Sequence, residues 1–234
     1  MATMDKRMKS RMAIRISMAL LMGWLSCTIG MAGQKVAPDI VEGMHLVPDT
    51  RLGLVYMDPE AELAIYKKLL LMDAQVAFKK NWQRDINQSK PYHVTASDMQ
   101  RIKSEVAELF REIFSRELES AGFVLVTELA PDTLIIRPAI VDLNINSPDT
   151  PRGGTTRNLT ESAGDMTLYL ELRDSVTGDL LAKALDFQFD RSNITTFMMD
   201  RTRNANAANR ILTHWAQVLV KGLQETGVKS TSQQ

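Results

Sequence analysis

The chain has 234 residues with 28 basic and 28 acidic side chains, so its formal net charge is zero. Hydrophobic residues make up 44% and charged residues 24% of it, which excludes a disordered polyelectrolyte, and no basic run or basic face interleaved with aromatics marks a nucleic-acid surface. A single cysteine, Cys27, excludes a disulfide framework, and the roughly 200 residues that follow it are enough for one well-buried domain.

The first segment in chain order is an address rather than a structural element. Lys6, Arg7, Lys9, Arg11 and Arg15 precede an uncharged run over residues 16–34 that is most apolar at 16–25. A basic stretch, a short apolar stretch and then small residues describe an export signal. Gly30-Met31-Ala32 supplies the small residues that ordinary signal peptidase reads, with the cut between Ala32 and Gly33. Lipoprotein processing would instead leave Cys27 as an acylated N-terminus, but of Trp24, Leu25 and Ser26 before it only Ser26 fits well. An uncleaved anchor is a third reading, because the uncharged run approaches bilayer-spanning length, although Gly23, Gly30 and Gly33 dilute its second half. Cleavage before Gly33 removes Cys27, and with it any thiol catalysis or cysteine-ligated metal. It also removes five basic residues and Asp5, leaving a mildly acidic chain of 23 basic against 27 acidic residues.

Residues 34–64 carry Pro38, Pro48 and Pro59 among scattered glycines and read as an extended N-terminal arm. Leu52, Leu54, Val55 and Tyr56 within it predict that part of the arm docks on the domain. "YKKLLLMDAQVAFKK" then reads as one core strand. The following "FKKNWQRDINQSKPYHVTASD" mixes Trp82 and Tyr92 with charges ahead of a helix. These two rings, with Arg152 further on, are the candidate partner surface; the competing reading has Trp82 closing the end of the sheet.

Met99, Ile102, Val106, Leu109, Phe110, Ile113, Phe114 and Leu118 recur at helical spacing and predict one buried stripe. Thr95 with Asp98 forms a capping box in front of that helix, and Gly122 ends it. "FVLVTE" and "TLIIRPAIVDLNIN" read as strands, with Pro138 marking an edge or a bulge in the second. After the long polar loop 147–163, "MTLYLELRDSVTGDLLAKALDFQF" reads as a β-hairpin. Its inward side is Met166, Leu168, Leu170 and Leu172, resuming at Leu181, and Gly178 supplies the positive φ of the turn. A final helix covers about residues 204–225 and the tail 227–234 is polar. The order predicts an α+β two-layer sandwich over residues 65–226: a mainly antiparallel, twisted sheet of about five strands with two helices on one face.

Candidate chemistry is sparse. His45, His93 and His214 have no ligand spacing, and "ESAGD" around Ser162 has no strand to form a nucleophile elbow. Asp142, Asp174, Asp179, Asp186 and Asp190 invite a paired-carboxylate reading, but their positions at turns and strand ends, facing solvent, explain them more simply. No catalytic residue, metal ligand or cofactor emerges, and a hydrolase using carboxylates near loop 147–163 stands as the alternative to a binding protein.

"VAFKKNWQRD", "ASDMQRIKSEVAELFREIFSRELESAGF", "LIIRPAIVDLNINSPDT", "SAGDMTLYLELRDSVTGDLLAKALDF" and "NRILTHWAQVL" occur in this order between about residues 45 and 225. The combined string resembles the bacterial domain-of-unknown-function family numbered 3313, whose members are exported and often predicted lipoproteins. That resemblance implies a periplasmic cell-envelope protein that binds another protein or an envelope component, with membrane association if Cys27 is acylated or the signal is retained. It implies no activity that could be carried to particular residues.

Overall fold

The computed structural model describes residues 38–90, 93–146, 148, 158–160, 164–190, 197–199 and 201–228. The chain divides into two units, residues 1–36, which lie outside the described residues, and Ala37–Gln234. Among the described residues the second unit contains a nine-stranded mixed sheet, a two-stranded sheet and three α-helices.

The centre of the main sheet is a three-stranded antiparallel meander in space: β7 (Thr133–Ile145), β9 (Gly164–Asp174) and β10 (Leu180–Phe189). Beyond β10 lie β3 (Leu54–Met57), β2 (Met44–Leu46) and β1 (Ile40–Val41), all antiparallel. Much of the expected arm is therefore sheet, because each short strand satisfies its backbone on a neighbour. On the other side of β7 lie β4 (Lys68–Leu71) and β5 (Gln75–Phe78), both parallel to it, and β6 (Val124–Leu125) pairs parallel with β4. Antiparallel pairings predominate as expected, five of the eight, but the sheet has nine strands rather than five, three of its pairings are parallel, and there are three α-helices among the described residues rather than two.

The single strand expected at 66–80 is broken. β4 follows β7 from Thr133 to Ile136 and β5 follows it from Ala139 to Leu143. Pro138 falls opposite the interruption, where its missing N–H costs no ladder bond to β4 or β5. Neither the edge nor the bulge expected at this proline is found: β7 runs through the middle of the sheet, and its irregularity lies further on, between Val141 and Asn144.

Helix α1 (Trp82–Ser89) buries Trp82 and Ile86. Helix α2 (Ala96–Ser120) starts at the expected capping box: the Thr95 hydroxyl accepts from Asp98 N at 3.2 Å, and Thr95 N donates to the Asp98 carboxylate at 2.9 Å. Gly122, at φ 86°, takes the left-handed conformation after its end. Helix α3 (Arg201–Glu225) begins earlier than expected, and the tail opens with Val228, which is only 1% exposed and donates its N–H to Leu223 O. Strands β8 (Asn158–Thr160) and β11 (Phe197–Met199) form the small second sheet.

Helices α2 and α3 pack on each other and on one face of the main sheet. Phe110, Ile113, Phe114 and Leu118 of α2 and Leu212, Trp215 and Leu223 of α3 meet Leu134, Ile136, Ile140 and Leu168 below them, each at 1% exposure or less. Burying these side chains contributes about 1.5–3 kcal/mol each and is the main source of stability. One polar group enters this layer. Asp186 accepts from Trp215 Nε1 at 2.7 Å, Gly53 N at 2.7 Å and Gln188 Nε2 at 2.8 Å. Three donors compensate a carboxylate that is 6% exposed. No helix among the described residues is long and apolar enough to cross a membrane.

Candidate interaction surface

Among the described residues the opposite face of the sheet carries no helix, and the side chains on it follow from strand register. β10 bulges between Leu180 and Ala182, which reverses the inward and outward parity of the strand. Sequence alternation resuming at Leu181 predicts the odd positions inward. Past the bulge, Ala182, Ala184 and Asp186 turn toward the helices, and Lys183, Leu185, Phe187 and Phe189 turn away. Leu185 is 40%, Phe187 57% and Phe189 45% exposed, and the two rings lie 6.4 Å apart.

Cross-strand partners extend this row into a patch. Leu185 pairs with Leu54 on one side and Tyr169 on the other, Tyr169 with Ala139, and Phe187 with Thr167, which pairs with Val141. Scattered exposed apolar residues are ordinary, whereas Leu185 and Phe187 set among apolar cross-strand neighbours, with Phe189 at the strand end, have the composition of a protein contact.

One register step away the open face turns ionic. Glu171, 9% exposed, accepts from the Tyr169 hydroxyl and from Arg173 Nε, both at 2.8 Å, with Arg137 Nη1 at 3.6 Å. The Arg173 hydrogen bond is the largest cause holding the Glu171 carboxyl below its usual range, against the opposing effect of burial. Burial first, and then the bond to Glu171, push the Tyr169 hydroxyl up to about 12. Lys183 reaches Glu42 at 2.8 Å and lies 5.8 Å from the centre of the Tyr56 ring. Glu171 and Lys183 are thus both partnered on this face.

Of the residues singled out from sequence, Trp82 is not an exposed anchor. It is 4% exposed, stacks on Phe78 at 4.2 Å and donates its indole N–H to Ile145 O at 3.1 Å, so it closes the end of the sheet. Tyr92 and Arg152 lie outside the described residues, as do Cys27, Ala32 and Gly33 and most of loop 147–163.

The carboxylates do not converge on one site. Asp142 is exposed at φ 53° within the β7 bulge, and Asp179 is exposed beyond the hairpin turn. Asp174 accepts from Val176 N at 2.8 Å, Thr177 N at 2.7 Å and the Tyr66 hydroxyl at 2.7 Å. The Thr177 N–H is the main cause of its lowered pKa. Asp186 and Asp190 are buried rather than solvent-facing, Asp190 pairing with Arg210 at 2.6 Å. The open-face row at 185, 187 and 189 was missed by sequence reading. Its signal is three bulky residues at period two beside the small inward Ala182 and Ala184.

A family described as protein of unknown function (DUF3313) matches residues 46–219. No curated protein matches the chain. Similar solved structures include a PelC dodecamer from Paraburkholderia phytofirmans, 11% identical over 70% of this chain and 95% of that one, with TM-score 0.38. A minor lipoprotein from Acinetobacter baumannii is 12% identical over 71% and 99%, with TM-score 0.35. Protein XCC0632 from Xanthomonas campestris, of family DUF330, is 16% identical over 72% and 89%, also with TM-score 0.35.

Proposed function

The chain belongs to the DUF3313 family of proteins of unknown function, and on that premise we propose a non-catalytic, exported cell-envelope protein that binds a protein partner through the open face of its sheet. The observation that carries the binding role is the row Leu185, Phe187 and Phe189, three large apolar side chains between 40% and 57% exposed on a rigid central strand. Aromatic residues on such a strand lose little conformational freedom on docking, which suits them as anchors. Export rests on the basic and then apolar N-terminal sequence, with cleavage before Gly33 and acylated Cys27 as the alternative anchored form.

A photo-crosslinking residue placed at Phe187 in intact cells tests the surface, with His214, exposed on α3, as the control position. The expected result is a discrete crosslinked protein from position 187 and none from 214. Equal yields from the two positions, or none from 187, would remove the open face as the binding surface. Mass spectrometry of the mature N-terminus separates a chain starting at Gly33 from one starting at lipid-modified Cys27.

A further inference from the structure

A second feature lies on the helix-covered side of the sheet and is independent of the open face. Residues 47–52, between β2 and β3, roof a cavity of about 350 Å³ floored by the sheet and walled by the C-terminal half of α3. The roof is held at both ends: Val47 N donates to Val55 O at 2.8 Å, and Gly53 N donates to the buried Asp186 carboxylate at 2.7 Å. The space persists because small residues border it. Ala182 and Ala184 face it from β10, and Gly222 faces it from within α3, where an added Cβ would meet nothing within 4 Å. Glycine weakens a helix interior relative to alanine, so the helix gives up stability at a position where a side chain would fill the cavity.

The lining selects the ligand. A volume of 350 Å³ falls at the lower end of small-molecule sites, roughly 300–1,000 Å³. Leu170, Leu172, Val55 and Leu219 contribute aliphatic walls, and no aromatic ring lines the space, which suits a flexible hydrocarbon chain better than a flat ring or a sugar. At the mouth, Lys221 is paired with Glu225 at 3.3 Å, whereas Arg51 is exposed and has no ion-pair partner among the described residues. A free guanidinium beside an aliphatic cavity complements an anionic head on an aliphatic tail. We propose that this cavity binds a single-tailed anionic amphiphile, its chain between α3 and the sheet and its head at Arg51.

Calorimetric titration of the purified exported chain with dodecanoate, kept below its micelle concentration, tests the site. Saturable binding of one dodecanoate per chain is expected, with dodecyltrimethylammonium weaker by about fivefold or more, the scale of an exposed charge contact. Gly222→Leu fills the cavity and is expected to abolish binding without lowering Tm. Arg51→Glu, an exposed change that leaves the fold intact, is expected to weaken dodecanoate by about fivefold and to erase the preference over the cationic probe. Absence of saturable binding to the parent chain overturns the proposal, as does dodecanoate binding that neither variant changes. If Gly222→Leu fails to fold, the Arg51→Glu result decides alone. Parallel titration with a lysophosphatidate of the same chain length distinguishes the sources, the tighter ligand being a free carboxylate or a lysolipid.

Discussion

The two faces of one sheet solve different problems with similar residues. On β9, Met166, Leu168, Leu170 and Leu172 lie under the helices at no more than 8% exposure, while Tyr169, Glu171 and Arg173 point the other way and pair with one another. On β10 the expected sorting is inverted. The large Leu185 and Phe187 are exposed, and the small Ala182 and Ala184, with charged Asp186, are covered. The reason is spatial: α3 brings Trp215 down to Asp186, while the small Ala182 and Ala184 border the cavity beneath residues 47–52. Leu185 and Phe187 on the open face stay 40% and 57% exposed and are available to another molecule.

The largest expected effect belongs to the covered face. Trp215→Ala removes a fully buried ring and one donor to Asp186, and should cost about 4 kcal/mol in urea unfolding. A loss below about 1 kcal/mol would mean that the helix layer does not carry the stability.

Next comes the turn that sets the register of both faces. Gly178, at φ 77°, cannot be replaced by a β-branched residue without strain, so Gly178→Val should cost about 2 kcal/mol. Asp174→Asn should cost less, since an amide oxygen can accept the same Val176 and Thr177 N–H groups. A folded Asp174→Asn chain with unchanged melting but a lost cellular phenotype would reassign that carboxylate from structure to function.

The ionic row of the open face gives a smaller, pH-dependent effect. Because the folded pKa of Glu171 is depressed, its contribution is fully present above the unfolded glutamate value and is lost as pH falls through the folded one. Glu171→Gln should therefore cost about 1 kcal/mol at neutral pH and converge with the parent chain in acid. Parallel acid denaturation curves, offset by a constant amount, would contradict this.

Smallest of all in stability is the apolar row. Phe187→Ser and Phe189→Ser should each shift unfolding by no more than about 0.5 kcal/mol, and Phe189→Ser should abolish the crosslink expected from position 187. If either substitution destabilises the chain as much as Trp215→Ala, the row belongs to the core and the contrast between the faces fails.

What the sequence shows and what it hides follow from the range of the forces involved. Helix α2 with its Thr95–Asp98 cap, and the β9–β10 hairpin with Gly178, rest on residues within a few positions of each other and are legible. Strands β1, β2, β8 and β11 have two or three residues each, too few to show a period. The parallel direction of β4 and β5 is set by their crossover to β7, which no local pattern encodes. Trp82 was ambiguous because an indole among charges looks alike on a surface and at a capped sheet end; the contact with Ile145 O decides it. The open-face row stayed hidden behind the one-residue bulge near Leu181, since a single inserted residue exchanges every inward and outward position after it.

The pairing of β3 with β10 also bears on how the chain reaches this state. Leu54 meets Leu185, so some of the first strands of the sheet wait for the last long one. The β9–β10 hairpin closes across a short turn, whereas docking β3 closes a loop that spans most of the domain, a slower event with a larger entropic cost. Until β10 is in place, β1, β2 and β3 can pair only with one another, and the β3 edge that β10 covers lacks its partner strand. During that interval this edge is open to other chains, and the molecule is most vulnerable before its final third has folded.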